Sequence, residues 1–261
     1  EVEAAGETDE FVASLDESAT GLDIDESAAT VIEGNVENVE GLTWRLDVNG
    51  AFYLEGEGEL PNNTFLQFKS DGAWVQFDGY TITTLVIGSG VSGSLSGYYF
   101  DSSIYSNVQN IIIKDRTNGA QLKDIFWGNC ANLQKVIIGT GVLAIHYNAF
   151  NNCTSLKEVI ISEGVETIGQ NAFSGCTSLE EVMIPDSVKT YEMDEWNSGA
   201  TFSGCTSLKK VVLSKNAKVL SGGMFSGCTS LVDVTIPEGI TTIENRTFYN
   251  ISPEANLFIP D

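Results

Sequence analysis

The chain has 261 residues, with 42% hydrophobic side chains and 36 acidic against 13 basic residues, which gives a formal net charge of -23. The share of hydrophobic residues is large enough for a core and excludes a wholly disordered chain. The excess of acidic residues excludes a protein that binds nucleic-acid phosphates, or anionic lipid, through a basic face. No apolar run approaches the ~20 residues of a membrane-spanning helix, and because the sequence begins at Glu1 without an initiator Met, we expect any signal peptide to have been removed.

The first 40 residues form a separate acidic segment. They hold 13 acidic side chains and no Lys or Arg. This composition is typical of a solvated tether, although the apolar pairs Phe11-Val12 and Val31-Ile32 can pin parts of it to the body. The stretch from Asp23 to Ser27 is a weak candidate for a calcium loop, because the central Gly and the distant Glu of an EF-hand are absent.

Residues 41–80 are predicted to form a β-hairpin module that caps the N-terminal end of the protein. Trp44, Leu46 and Val48 alternate on one side of the first strand, and Phe52 and Leu54 follow an Asn-Gly turn at positions 49–50. Asn-Gly between alternating apolar residues is the strongest short-range signal for a hairpin. A cap of this kind covers a strand edge that would otherwise be unpaired.

Residues 81–261 contain a repeat, which the five cysteines reveal. Cys130, Cys153 and Cys176 are 23 residues apart, Cys205 follows 29 residues later, and Cys228 another 23. Four of the five copies have a Phe three residues before the Cys, and every copy has a Leu three residues after it and then a short strand of the form Val-x-Ile or Val-x-Leu. A fixed period of this length indicates a solenoid of stacked rungs. The residues that end successive strands mark seven to eight rungs: Ile87, Ile113, Ile138, Ile161, Ile184, Leu213, Ile236 and Ile259.

One rung can be interpreted from its residues. Val182 and Ile184 alternate with Met183, so they are predicted to point inward, where Phe173 and Leu179 fill the same interior. Neighbouring rungs then pair as parallel strands and cover one another's apolar residues. Gly and Asn exchange at the position before each Cys, which predicts a left-handed backbone there. The connections leave room only for single helical turns, such as one near Ala172.

These repeats resemble the BspA-like leucine-rich repeats of bacterial surface and secreted proteins. The similarity covers roughly residues 81–261 and rests on Cys-Thr-Ser-Leu segments, followed by Val-x-Ile, in neighbouring copies. The block of Trp-x-Leu, Asn-Gly and Gly-x-Gly at residues 44–58 is similar to a segment that often precedes such repeats. The resemblance implies a leucine-rich-repeat solenoid, of the α/β class by family, in a secreted or cell-surface protein.

The cysteines are predicted to be buried apolar residues, with disulfides and metal ligation as weaker alternatives. They occur once per rung, and the whole chain offers a single His, His146, as a further ligand. An odd number of thiols at one phase suits a buried ladder, and Ile251 replaces Cys in the last copy. We expect His146 to be solvent-exposed and expect no catalytic site, metal or cofactor.

Two surface features are candidates for partner binding. The outward middle residue of each strand forms a column, here called the outer column, which is apolar at seven of eight positions: Val86, Ile112, Ile137, Ile160, Met183, Val212, Thr235 and Phe258. Such a column is either a binding face or a consequence of the β-propensity of branched residues. The second feature is a six-residue insertion that contains Tyr191, Met193 and Trp196, either as a contact loop or packed on its own rung.

The sequence therefore predicts a non-enzymatic interaction or adhesion module that binds a protein or glycan, such as a host extracellular matrix protein or another bacterial surface protein. The alternative is a structural spacer in a larger surface protein. No nucleic-acid binding and no membrane insertion are expected. Because the last residues, Ile259-Pro260-Asp261, repeat the start of a rung, we also expect a weak homodimer through an end or a face.

Overall fold

The computed structural model describes residues 24–37, 39–60, 68–70, 73–74, 77, 79–96, 107–116, 122–126, 130–191 and 200–258. Every regular element in these ranges is a β-strand. The strands form an N-terminal antiparallel unit and two parallel ladders around the core, and each ladder is divided between two hydrogen-bonded sheets.

The N-terminal unit contains the predicted hairpin. Strands β2 (Leu42–Asp47) and β3 (Ala51–Gly56) are antiparallel, with Trp44 opposite Leu54 and Leu46 opposite Phe52. Three further strands extend the same sheet, namely β1 (Thr30–Val36) beside β2, β5 (Phe68–Ser70) beside β1 and β6 (Ala73–Trp74) beside β5. Part of the predicted acidic segment is therefore a strand, in which Ile32 packs against the core.

The hairpin turn is longer than the predicted Asn-Gly pair. Strand β2 ends at Asp47, whose Oδ1 accepts hydrogen bonds from the backbone N–H groups of Asn49 at 2.9 Å and Ala51 at 2.8 Å. The expectation that Val48 continues the buried side of the strand is wrong, because Val48 lies in this turn and is 62% exposed. The Asp47 carboxylate accepts two backbone hydrogen bonds and so forms a turn, and the strand therefore ends earlier than the alternating pattern predicts.

The first ladder carries one strand from each rung. In chain order these strands are β7 (Thr84–Ile87), β9 (Asn110–Ile113), β11 (Lys135–Ile138), β13 (Glu158–Ile161), β15 (Glu181–Met183), β17 (Lys210–Val212), β19 (Asp233–Thr235) and β21 (Asn256–Phe258). Strand β7 pairs in parallel with β3, so the hairpin covers the first rung's edge as predicted. Equivalent residues lie opposite each other, for example Ile112, Ile137 and Ile160.

The second ladder lies across the core from the first. Its strands are β4 (Gly58–Leu60), β8 (Val91–Ser96), β10 (Leu122–Phe126), β12 (Ala144–Ile145), β14 (Thr167–Ile168), β16 (Thr190–Tyr191), β18 (Val219–Leu220) and β20 (Thr242–Ile243). Their pairing is parallel wherever neighbours are hydrogen-bonded. The two ladders confirm the predicted solenoid of parallel strands.

The core between the ladders is built from the repeated positions. Phe150, Phe173, Phe202 and Phe225 are fully buried, and their rings stack rung on rung with centroids 5.3 to 5.7 Å apart. Phe248 continues the stack at 5.6 Å. Stacking of identical rings at the spacing of the rungs is a favourable aromatic geometry.

The predicted left-handed turn before the Cys position is also confirmed. Asn152, Gly175, Gly204 and Gly227 have φ values from 57° to 78°, and Asn250 has 55° in the last rung. A second left-handed position occurs five residues before the Cys position, at Asn148 and Asn171 with φ near 55°. The expected single helical turns are instead hydrogen-bonded turns in the described residues; near Ala172, for example, its N–H bonds the Gly169 carbonyl at 3.2 Å.

Candidate interaction surface

The outer column is not uniformly exposed. Val86 is completely buried, Ile112 and Ile160 are each 7% exposed, and Ile137, Met183 and Val212 are partly exposed. Thr235 is exposed, and for Phe258 the structure describes the backbone in β21. The expectation of a solvent-facing column is therefore wrong at Val86, Ile112 and Ile160, and accessible apolar surface is concentrated at Ile137, Met183 and Val212.

Val86 is buried because residues from the N-terminal part of the chain cover it. It packs with Ala51 and Tyr53 on the outward side of β3, and Ile24 lies against these three side chains. Next to them, the Lys114 ammonium forms an ion pair with Glu26. Residues 24–26 therefore lie on the outward side of β3 and β7, and the Glu26 carboxylate pairs with Lys114 just after β9.

Tyr53 belongs to a closed polar cluster at this end of the face. Its hydroxyl donates to Asp47 Oδ2 at 3.2 Å, and the Arg45 guanidinium lies 3.4 Å from the ring centroid. Burial, followed by the charge of Asp47, raises the pKa of Tyr53 to about 12. The hydroxyl stays protonated and acts as a hydrogen-bond donor, so this cluster stabilises the hairpin.

Charged side chains flank the outer column. Lys135 and Glu158 form an ion pair at 2.8 Å between neighbouring rungs, and Glu181 lies opposite Lys210 on β15 and β17. Ion pairs at the surface contribute little to stability. Their effect is on the surface itself, where they place alternating charge beside an apolar strip.

The insertion contributes less to the surface than the sequence suggests. Tyr191 ends strand β16 and is only 5% exposed, so the expectation of an aromatic contact at a loop tip is wrong for this residue. Burial raises the pKa of its hydroxyl. Met193 and Trp196 lie outside the described residues.

All five cysteines are buried and unpaired by disulfides, which confirms the prediction of a thiol ladder. The Sγ atoms of Cys176, Cys205 and Cys228 each donate to a Phe carbonyl of the preceding rung at 3.1 to 3.2 Å. Burial raises the pKa of Cys176 and of Cys228 to about 12, and that of Cys205 well above its usual value. The side-chain hydrogen bond with Cys130, and then burial, raise the pKa of Cys153. These thiols remain neutral hydrogen-bond donors.

Among the described residues, no group of three or more His, Cys, Asp or Glu side chains is arranged to hold a metal ion. His146 is partly exposed, and its ring lies 4.2 Å from that of Tyr147. In the same part of the chain, no helix has the length and apolar character needed to span a membrane.

Sequence reasoning missed Arg116, which joins two rungs. Its Nη1 donates to the carbonyls of Gly88 at 2.6 Å and Val91 at 2.9 Å, and its Nη2 to that of Ile87 at 3.3 Å. Burial lowers its pKa to about 10. No periodic signal could have found this residue, because it occurs once, in the irregular first repeats.

The architecture and the repeated positions define a leucine-rich-repeat solenoid. The chain belongs to the BspA type leucine rich repeat region family, whose sequence profile matches six copies over residues 76–199 and 198–261. No curated protein matched in a sequence search.

Several solved structures are similar to this chain. The leucine rich repeat protein TpLRR of T. pallidum is 20% identical with a TM-score of 0.52, over 78% of this chain and 84% of its own. A leucine rich cell surface protein of Faecalibacterium prausnitzii A2-165 is 16% identical with a TM-score of 0.33, over 82% of this chain and 86% of its own. The pneumococcal vaccine antigen PcpA is 15% identical with a TM-score of 0.39, over 83% of this chain and 73% of its own. At 20% identity, the likeness to TpLRR extends to the fold alone.

Proposed function

We propose that this chain is a non-catalytic interaction or adhesion module of a secreted or cell-surface bacterial protein. Its binding face is the outer side of the first ladder. The observation that carries the proposal is the strip of partly exposed apolar residues, Ile137, Met183 and Val212, on strands held in register by their neighbours. The family to which the repeats belong supports a setting outside the cell.

The chemistry of the face favours a protein or a glycan as the partner. Partly exposed branched and thioether side chains offer apolar contact, and the Lys135–Glu158 pair together with Glu181 and Lys210 offers polar contacts beside it. A central apolar patch within a polar rim is the usual anatomy of an interaction surface. An extracellular matrix protein or another bacterial surface protein fits this description. The net charge of -23 argues against nucleic acid.

A second candidate is a structural spacer with no ligand of its own. It is favoured by the low exposure of Ile112 and Ile160, at 7% each, since these outward residues already find contacts within the chain. Branched residues also stabilise a parallel ladder wherever they occur in it.

The binding role is tested on immobilised extracellular matrix proteins and a glycan array. The unmodified chain is compared with a variant that combines Ile137→Asp, Met183→Asp and Val212→Asp, and with a control, Thr206→Asp, in an exposed turn. We expect the triple variant to lose binding and the control to retain it, with matching circular dichroism melts as proof of folding. Unchanged binding by the triple variant would disprove the proposed face. If the unmodified chain binds nothing on the panel, the spacer is favoured.

The proposal includes a weak homodimer through the same exposed strip. Light scattering over a range of concentrations should show a rising average mass that the triple variant lacks. A strictly monomeric chain at the highest concentration would remove this part of the proposal.

A further inference from the structure

Two neighbouring rungs carry no charge on the side where the chain returns from the second ladder to the first. The connections 146–156 and 169–179 contain no Asp, Glu, Lys or Arg, in a chain with 36 acidic and 13 basic residues. The opposite connections, 162–166 and 184–189, contain two charged residues each. The uncharged run ends at the insertion, where residues 192–195 include three acids. The surface before the insertion is therefore locally neutral.

The turns of these two connections, residues 146–152 and 169–175, are here called the neutral patch. Five of its side chains are amides, and all five are exposed or partly exposed: Asn148, Asn151, Asn152, Gln170 and Asn171. The equivalent turn of a later rung, residues 221–227, contains no Asn or Gln. Because an amide has both donors and an acceptor, the neutral patch can bond a hydroxyl group in either direction.

Contacts between the two rungs hold part of this amide cluster in place. The Nδ2 of Asn152 donates to Oδ1 of Asn151 at 2.7 Å, and the Nδ2 of Asn151 donates to the carbonyl of Ser174 at 3.4 Å. The Oδ1 of Asn152 lies over Gly175, where a Cβ would clash with it. Groups that are already fixed lose little conformational entropy when a ligand binds.

Tyr147 is the one large apolar side chain exposed in the neutral patch, all of which the structure describes. It is 53% exposed, and its ring lies 4.2 Å from that of His146. The backbone at this point is fixed by the next rung, because the N–H of Asn148 donates to the Gln170 carbonyl at 2.9 Å and a Cβ at Gly169 would clash with Tyr147 N. An aromatic ring beside amides matches a sugar, which has an apolar C–H face and a rim of hydroxyls.

We propose that the neutral patch binds an uncharged carbohydrate. One sugar ring packs its C–H face on Tyr147, and its hydroxyls bond the surrounding amides. A neutral ligand can cover this surface without removing water from charged groups, which is costly. A protein partner fits less well, because the centre of a protein interface needs several apolar side chains and the neutral patch exposes one. The neutral patch lies away from the outer column, so the inference does not rest on the proposed function.

A printed array of neutral oligosaccharides, with their sialylated and sulfated counterparts, tests the site. We expect the chain to prefer neutral glycans and to bind them equally at low and high salt, since no charges attract each other. Tyr147→Gln copies the residue that the next rung has at this position, Gln170, and therefore preserves the turn. It should weaken binding by about tenfold because the stacking contact is lost. Tyr147→Phe, which keeps the ring, should retain most of the binding.

A second variant removes an amide without disturbing the backbone. Asn148 has φ 55°, a conformation that Gly adopts freely, so Asn148→Gly preserves the left-handed turn. We expect it to weaken glycan binding several-fold while its thermal melt matches that of the unmodified chain. Full binding by both Asn148→Gly and Tyr147→Gln would overturn the proposal.

Two controls separate this site from the rest of the surface. Tyr249 is 63% exposed beside Arg246, outside the neutral patch, so Tyr249→Gln should leave glycan binding unchanged. The triple variant of the outer column should also bind the glycan normally. If the triple variant loses the glycan and Tyr147→Gln keeps it, the neutral patch is excluded and the proposed face is supported. Failure to bind any neutral glycan on the array would also overturn the inference.

Discussion

Each strand of the first ladder has inward and outward apolar residues, and the two sets are buried for different reasons. The inward residues Val136, Val182 and Val234 are 0 to 3% exposed from the first regular rungs to the last. The outward residues change along the molecule, from Val86 at 0% to an exposed Thr235.

The difference shows which residues are buried by the repeat itself. A rung covers the inward residues of its neighbours with the same Phe, Leu and Cys positions each time, so their burial repeats with the sequence. The outward residues have no such repeated cover. Their burial depends on what another part of the chain places over them, as Ile24 does for Val86.

The largest expected effect concerns the interior thiols at alkaline pH. Cys176 and Cys228 have pKa values of about 12 in the folded chain, against 9.0 as the ordinary value. The folded pKa is the higher one, so their contribution to stability is complete below pH 9 and is lost as pH rises toward 12. The free energy of unfolding should fall by about 1.4 kcal/mol per pH unit for each such thiol.

Urea unfolding at several pH values between 9 and 12 measures this slope. A variant with Cys176→Ala and Cys228→Ala provides the control, because it lacks two of the ionising groups and should show a shallower slope. Identical slopes for the two proteins would show that the thiols do not govern alkaline stability.

The next effect compares the interior and the outer column directly. Phe173→Ala removes a fully buried ring from the stack and should cost ~3–5 kcal/mol of unfolding free energy. Met183→Ala, on the outward side of the neighbouring strand, should cost less than about 1 kcal/mol because the side chain is partly exposed. Comparable losses in denaturant titrations would mean that the outer column is part of the core.

The smallest effect concerns a left-handed turn position that carries Asn or Gly in other rungs but Arg in the last rung. Arg246 has φ 60° at the place where Asn148, Asn171 and Gly223 occur in other rungs. Asn tolerates this backbone better than Arg, so Arg246→Asn should stabilise the chain by ~0.5–1 kcal/mol. Thermal unfolding would show a small increase in the midpoint temperature; a decrease would indicate that the contact of Arg246 with Tyr249 matters more.

Features that recur in the sequence could be predicted. The 23-residue spacing of the cysteines gave the parallel ladder and the buried thiols, and the exchange of Gly and Asn before each Cys gave the left-handed turns. The hairpin could be predicted because Asn-Gly between alternating apolar residues is a local signal. In each case the signal is either a fixed spacing or a short motif that the sequence itself contains.

Features that occur once could not be predicted in this way. Asp47 ends the hairpin strand through hydrogen bonds of one side chain, and Arg116 joins rungs through carbonyls that lie more than 20 residues away. Tyr191 appears next to a loop in the sequence but is buried in the structure. These contacts depend on single residues placed by the folded chain.

The sequence by itself determined the solenoid, its interior ladder of Phe and Cys, and the turns between rungs. Periodic apolar residues have one way to be buried together, which is by stacking. Only the tertiary structure decided which part of the outer column is accessible. Alternation places Val86 and Met183 on the same side of the sheet, but it does not specify that Ile24, more than 60 residues before Val86, covers one and not the other.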